Sequence, residues 1–199
     1  MTMASSALEA LPYRLLLQIC QSLNYFTILK LSQVSKSLRR MTQEQDLDAI
    51  MFRNTPGTKV PQPENIVDLT TFKRHPLFRS ISFKGGDFEQ EIEELTLDVY
   101  KRISFLDCGA IDEMAVWPPV TSLRLDMIRY NEILDSMLET VQRESGVRVI
   151  DVVKLMISTE NALVDDYGPE LGYEHHFFEG FESTSYQDGV LHLVACWGS

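Results

Sequence analysis

The residues able to hold a metal or attack a substrate are few and poorly spaced. His175, His176, His192 and Cys196 offer nitrogen and sulfur donors, and a zinc site needs three or four such groups converging on one ion. Adjacent histidines on an extended chain point to opposite faces. His192 and Cys196 share a strand face but stand about 13 Å apart at the rise of an extended chain, too far to chelate together. Gly85-Gly86-Asp87 lacks the lysine and the spacing of a phosphate-binding loop, and no Gly-x-Ser-x-Gly elbow occurs. Glu91, Glu93, Glu94 and Asp165-Asp166 could attract a cation but follow no calcium-loop pattern; they read as solvated faces. Trp117, before Pro118-Pro119, and Trp197 read as packing residues. The expectation is a non-catalytic protein with no metal and no cofactor.

The elements that must position any site are bounded first by composition. The 199 residues suit one large domain, or a small module and a medium one. A chain of this size buries roughly 70% of its unfolded surface. Charge is unevenly spread. Residues 1–45 hold five Lys and Arg against two Glu, or +3, leaving 13 − 27 = −14 for residues 46–199. An acidic body repels phosphate backbones, which disfavours nucleic acid, and attracts basic protein surfaces. Cys20, Cys108 and Cys196 are odd in number and lack metal spacing, as expected of a reducing compartment, cytosol or nucleus. Residues 1–14 lack the basic start of a secretory signal, and no apolar run approaches the roughly 20 residues a membrane span requires.

The densest apolar signal is "LPYRLLLQICQSLNYFTILKLSQVSKSLRRM", residues 11–41. Pro12 suits a first helical position. Leu15, Leu16, Ile19 and Leu23 follow at spacings of three and four, the period of an apolar helical face, widened by Leu17 and Cys20. Asn24 can end that helix or cap the next. A second helix carries Ile28, Leu29 and Leu31. A third starts near Ser35 and runs through Leu38 and Met41 toward Leu47, Ile50 and Met51. Three helices, two of them short, have a thin core, and such a module needs a partner or a neighbouring domain.

"RNTPGTKVPQPEN", residues 53–65, has three prolines, one glycine and no apolar period, so it reads as a linker. Residues 66–199 read as a mixed α+β body. Strands are expected at 77–83, 102–107, 121–128 and 189–197; in 121–128, Leu123, Leu125 and Met127 share one side and Arg124 and Asp126 the other. Helices are expected at 132–145, on Ile133, Leu134, Met137, Leu138 and Val141 with Gly146 as the stop, and at 152–163, capped by Asp151. Residues 87–95 read as an acidic helix or a solvated loop, and 164–189 as a long aromatic-rich loop.

The opening run resembles the F-box: a leucine-proline start, a leucine-rich first helix, a second short apolar set, then "VSK..RR". The resemblance covers about residues 8–50. Arg14 stands where the family commonly has an acidic residue and Leu38 where Trp is frequent; neither change removes an apolar contact. More faintly, "HPLF" (75–78), "PPVTSLRL" (118–125) and "GVRVIDVVKLM" (146–156) look like the body of fungal F-box proteins. The leucine-rich, WD and kelch periods of repeat-type target readers do not occur.

The resemblance implies docking on a Skp-type adaptor, and through it on a cullin–RING ubiquitin ligase, with an unknown target protein held by the body. It places Leu11, Pro12, Leu15, Leu16, Ile19, Leu29, Leu31, Val34 and Leu38 at or just behind the adaptor interface, without sorting contact from core. The organisation expected is therefore an F-box-like module at 8–52, a linker at 53–65 and an α+β domain at 66–199. The alternative is a binding module stabilised by the adaptor but acting outside the ligase.

Overall fold

The computed structural model describes residues 8, 10–54, 60, 69–82, 91–98, 102–126, 128–129, 132–133, 139–167 and 177–198. The chain forms two compact units, Met1–Arg53 and Asn54–Ser199. Helices come first and mixed sheets with one long helix follow, so the fold is α+β.

In the first unit, helix α1 spans Tyr13–Gln21. Pro12 sits one residue earlier than expected, as its N-cap, and its carbonyl accepts the Leu15 and Leu16 N–H groups. Asn24 caps the second helix: its Oδ1 accepts the Thr27 N–H at 3.0 Å and so opens α2, Tyr25–Val34. Ser35 does the same for α3, Lys36–Met41, accepting the Leu38 N–H at 3.2 Å. The third helix does not continue to Met51. Its apolar period breaks at Gln43, Glu44 and Gln45, and the Thr42 hydroxyl donates to the Arg39 carbonyl at 2.9 Å. A 3₁₀ turn at Gln45–Leu47 then redirects the chain, burying Leu47, Met51 and Phe52. With Leu16, Cys20, Tyr25, Ile28, Leu38 and Met41 these make the core.

The second unit begins its described part with short pieces: β1 (Lys73–Arg74), a 3₁₀ turn at Pro76–Ser80 and β2 (Ile81–Ser82). The strand expected at 77–83 is thus mostly a turn, and Phe83 lies outside the described residues. His75 and Pro76 are the cause. The His75 Nδ1 accepts the Leu77 N–H at 3.1 Å and proline fills the first position, which tightens the chain into a turn. That tautomer leaves Nε2 to donate to Glu113 at 2.9 Å. Of residues 87–95 only 91–95 are described, with a single 3₁₀ turn at Ile92–Glu94.

Strands β3 (Thr96–Asp98) and β4 (Arg102–Ser104) complete a three-stranded sheet of order β2-β3-β4. Strand β5 (Val116–Trp117) pairs with β1. The main sheet contains β6 (Ser122–Asp126), and β7 (Ile128–Arg129) and β8 (Glu132–Ile133) form a small antiparallel pair. Then come β9 (Glu139–Gln142), α4 (Val149–Tyr167), β10 (Phe177–Gln187) and β11 (Val190–Gly198). The main sheet has the order β10-β11-β6-β9, with β11 and β6 parallel and the other pairs antiparallel.

Two expectations fail here. The helix expected over 132–145 is replaced by β8 and β9, with Leu134, Met137 and Leu138 outside the described residues. Strand β6 has β11 on one side, and β9 satisfies its other edge, with Val141 set against Leu123; a long-range ladder overrides a local helical period. Gly146 therefore ends no helix. It turns the chain at φ +96°, where a Cβ would stand 2.6 Å from the Met114 sulfur. The loop expected over 164–189 also fails: α4 runs on to Tyr167, and β10 occupies most of its second half, closed onto β11 by an Asp188-Gly189 turn with both φ positive.

Alternation on β6 and β11 builds the core. Leu123, Leu125, Leu191, Leu193 and Ala195 are buried, and α4 packs on the β6–β9 side of the sheet with Val152, Val153 and Met156 buried. Phe78 meets Phe181 edge-on at 4.9 Å. Asp151 stands at the third residue of α4, not at its cap: Oδ2 reaches back to the Arg148 N–H at 3.1 Å and Oδ1 takes two bonds from Arg143. Asp151→Ala should therefore cost about 0.5–2 kcal/mol, as for other side chains that satisfy a helix's first N–H groups, read as a lower urea midpoint. An unchanged midpoint contradicts it.

Candidate functional site

Helix α1 carries two apolar rows. Leu16 and Cys20, four apart, are buried in the first unit. Leu15 and Ile19, also four apart, are 49% and 39% exposed, and Leu11, just before the helix's N-cap, is 36% exposed. Four residues make slightly more than one helical turn, so Leu15 and Ile19 stack on one side of α1. Pro12 is exposed beside them in sequence, and Val34 is exposed at the end of α2.

The structure thus divides the nine residues of the expected interface. Leu11, Pro12, Leu15, Ile19 and Val34 face solvent; Leu29 and Leu31 are half-buried; Leu16 and Leu38 are core. A contiguous row of exposed leucine and isoleucine on one helix is what water disfavours and a protein partner covers. Leu16 and Cys20, buried behind the row, fix which side of α1 faces out. The Tyr13 phenol is pushed up to about 12, first by its hydrogen bond to Glu44, then by partial burial and by the charges of Glu44 and Asp46. Burial raises the Cys20 thiol and so makes it a poor nucleophile.

In the second unit His75, Asp126, Asp151 and His192 are partnered within the fold. The His192 Nδ1 lies 3.2 Å from the Asp126 carboxylate, which also faces the Arg124 guanidinium at 3.4 Å. These three lie on the polar side of β6 and β11. The partner of His192 lies 66 positions away, and the outward parity of Asp126 was its only sequence signal. His175, His176 and Gly85-Gly86-Asp87 lie outside the described residues. Among the described residues no group of three or more His, Cys, Asp or Glu is placed to hold a metal, and no helix is long and apolar enough to cross a membrane.

A family model described as F-box-like matches residues 8–52. No curated protein and no solved structure matches the chain. F-box-like domains are typically non-catalytic adaptor modules that bind Skp-type proteins of ubiquitin ligases, and no catalytic family is indicated. Helices α1–α3, the last two opened by side-chain caps, and the exposed row on α1 lie inside the F-box-like region.

Proposed function

We propose that the chain is a substrate receptor of a Skp–cullin–F-box ubiquitin ligase. Residues 8–52 dock on the adaptor through Leu11, Pro12, Leu15, Ile19 and Val34. Leu29 and Leu31 form the margin, and Leu16 and Leu38 stiffen the helices from behind. Residues 66–199 hold the target, and the faint likeness of this body to fungal F-box proteins supports a fungal-type receptor. The ligase's other subunits carry the chemistry, and this chain contributes proximity. The place of action on this reading is cytosol or nucleus.

The observation that supports it best is the exposed Leu15–Ile19 row of α1, with Leu11 exposed just before it, inside the F-box-like match. Co-expression with a Skp-type adaptor and a cullin tests it. The expected result is a one-to-one complex with the adaptor on size exclusion that also retains the cullin. A complex that holds the adaptor and excludes the cullin points to a binding module acting outside the ligase. A monomer that ignores the adaptor removes the docking assignment altogether.

A further inference from the structure

We infer that the open edge of β4 is the target-docking site, and that it takes an extended basic segment with an apolar residue at its centre. The inference rests on the receptor reading and names the class of target. Its carrier is a row of side chains across the three-stranded sheet. Ile81, Leu97 and Ile103 are aligned partners on β2, β3 and β4, so they share one face. They are 5%, 0% and 42% exposed. The row is core at two strands and uncovered at the third. Leu106, just beyond β4, is also exposed. One added strand would finish the row.

The backbone is arranged for that addition. The Phe105 N–H donates to the Leu95 carbonyl at 2.9 Å. By the alternation of an antiparallel ladder, Ile103 and Phe105 turn their backbone groups toward β3, while Arg102 and Ser104 turn theirs to the open side. Strand β4 ends the sheet among the described residues, and an open edge is a template for an incoming strand.

Charge selects the occupant. Glu93, on the turn before β3, and Asp107, after β4, are both exposed and lie at the same end of the β3–β4 pair, since Leu95 bonds to Phe105. The second unit, residues 54–199, holds 12 Lys and Arg against 25 Asp and Glu, a net of 12 − 25 = −13. A second copy joined edge to edge would bring two such charges together, whereas a lysine- or arginine-bearing segment is attracted.

The test uses the full chain bound to its adaptor and a dye-labelled peptide alternating lysine with valine. A charge-matched peptide alternating lysine with glycine is the control. Fluorescence anisotropy should show the valine peptide binding about tenfold tighter or more. Ser104→Pro, which removes the outward N–H and blocks an added strand, should weaken it at least about tenfold. So should Glu93→Lys with Asp107→Lys, whose exposed positions leave the fold intact if the proline variant misfolds. Leu15→Asp with Ile19→Asp should lose the adaptor and keep the peptide. Equal affinity for the two peptides, or wild-type affinity in the folded Ser104→Pro variant or in the charge-reversed one, overturns the β4 site. Peptide binding without any adaptor capture sinks the receptor reading and leaves the β4 site standing.

Discussion

Replacing Leu15 and Ile19 together with Asp should abolish capture of a Skp-type adaptor while the first unit stays folded. Both side chains are 39% exposed or more, so neither substitution cuts into the core formed by Leu16, Cys20, Ile28 and Leu38. The helix loses only about 0.5 kcal/mol per position in propensity. In the complex the cost is of another order. Each new carboxylate is pressed into an apolar interface without a partner, and an uncompensated buried charge costs about 3–5 kcal/mol. Even the lower figure, taken once, weakens binding more than a hundredfold, and the pair takes a nanomolar complex beyond the reach of co-elution at micromolar concentration. Size exclusion with purified adaptor reads the loss, and far-ultraviolet circular dichroism reads the retained helix. A double variant that co-elutes as wild type does places the interface elsewhere. Leu38→Asp is the informative contrast, because Leu38 is fully buried: that variant should lose the fold of the unit along with the adaptor.

The second large effect is confined to the body. Leu193→Ala should destabilise the second unit by about 2–5 kcal/mol, the range for truncating a buried leucine. Leu193 lies on β11, between Ser183 of β10 and Leu125 of β6, and is fully buried. Its loss opens a cavity where three strands meet, and a rigid sheet relaxes little into it. Against a total stability of about 5–15 kcal/mol this is a large fraction. It should appear as an early thermal transition and as faster proteolysis of the body. Val190→Ala, on the opposite and half-buried side of the same strand, should cost less than about 1.5 kcal/mol. If the two variants melt alike, the assignment of β11's faces is wrong. The double variant on α1 and the truncation on β11 also separate the two units: the first should spare the body's melt, and the second should spare adaptor capture.

The N-terminal module was legible in the sequence because its determinants are local. Helical periodicity, Asn24 and Ser35 as caps, and leucines at spacings of three and four all act within a few residues. The strands β6 and β11 and the helix α4 were legible for the same reason, since their alternation or stripe is undisturbed. Strand β10 was not. Two register shifts, between Phe178 and Gly180 and between Ser183 and Ser185, each insert an extra residue. The buried aromatics Phe178 and Phe181 and the ring of Tyr186 against Phe72 thus fall at spacings of three and five rather than two, and the period of a strand is erased. Strand β9 was hidden differently, because its residues also fit a helical period and only pairing with β6 chooses the strand.

The sequence by itself determined that residues 8–52 form three helices with more leucine than they can bury, in front of an acidic α+β body. Only the tertiary structure decided which leucines face out. Leu15 and Leu16 are adjacent and chemically identical, yet one is half exposed and the other buried. Their helix meets the rest of its unit on one side only, and periodicity names the stripes of a helix without naming the side that finds a neighbour. The same holds for Ile103, whose row is core on β2 and β3 and open on β4. A strand becomes an edge through what fails to pair with it, and that is a property of the whole sheet.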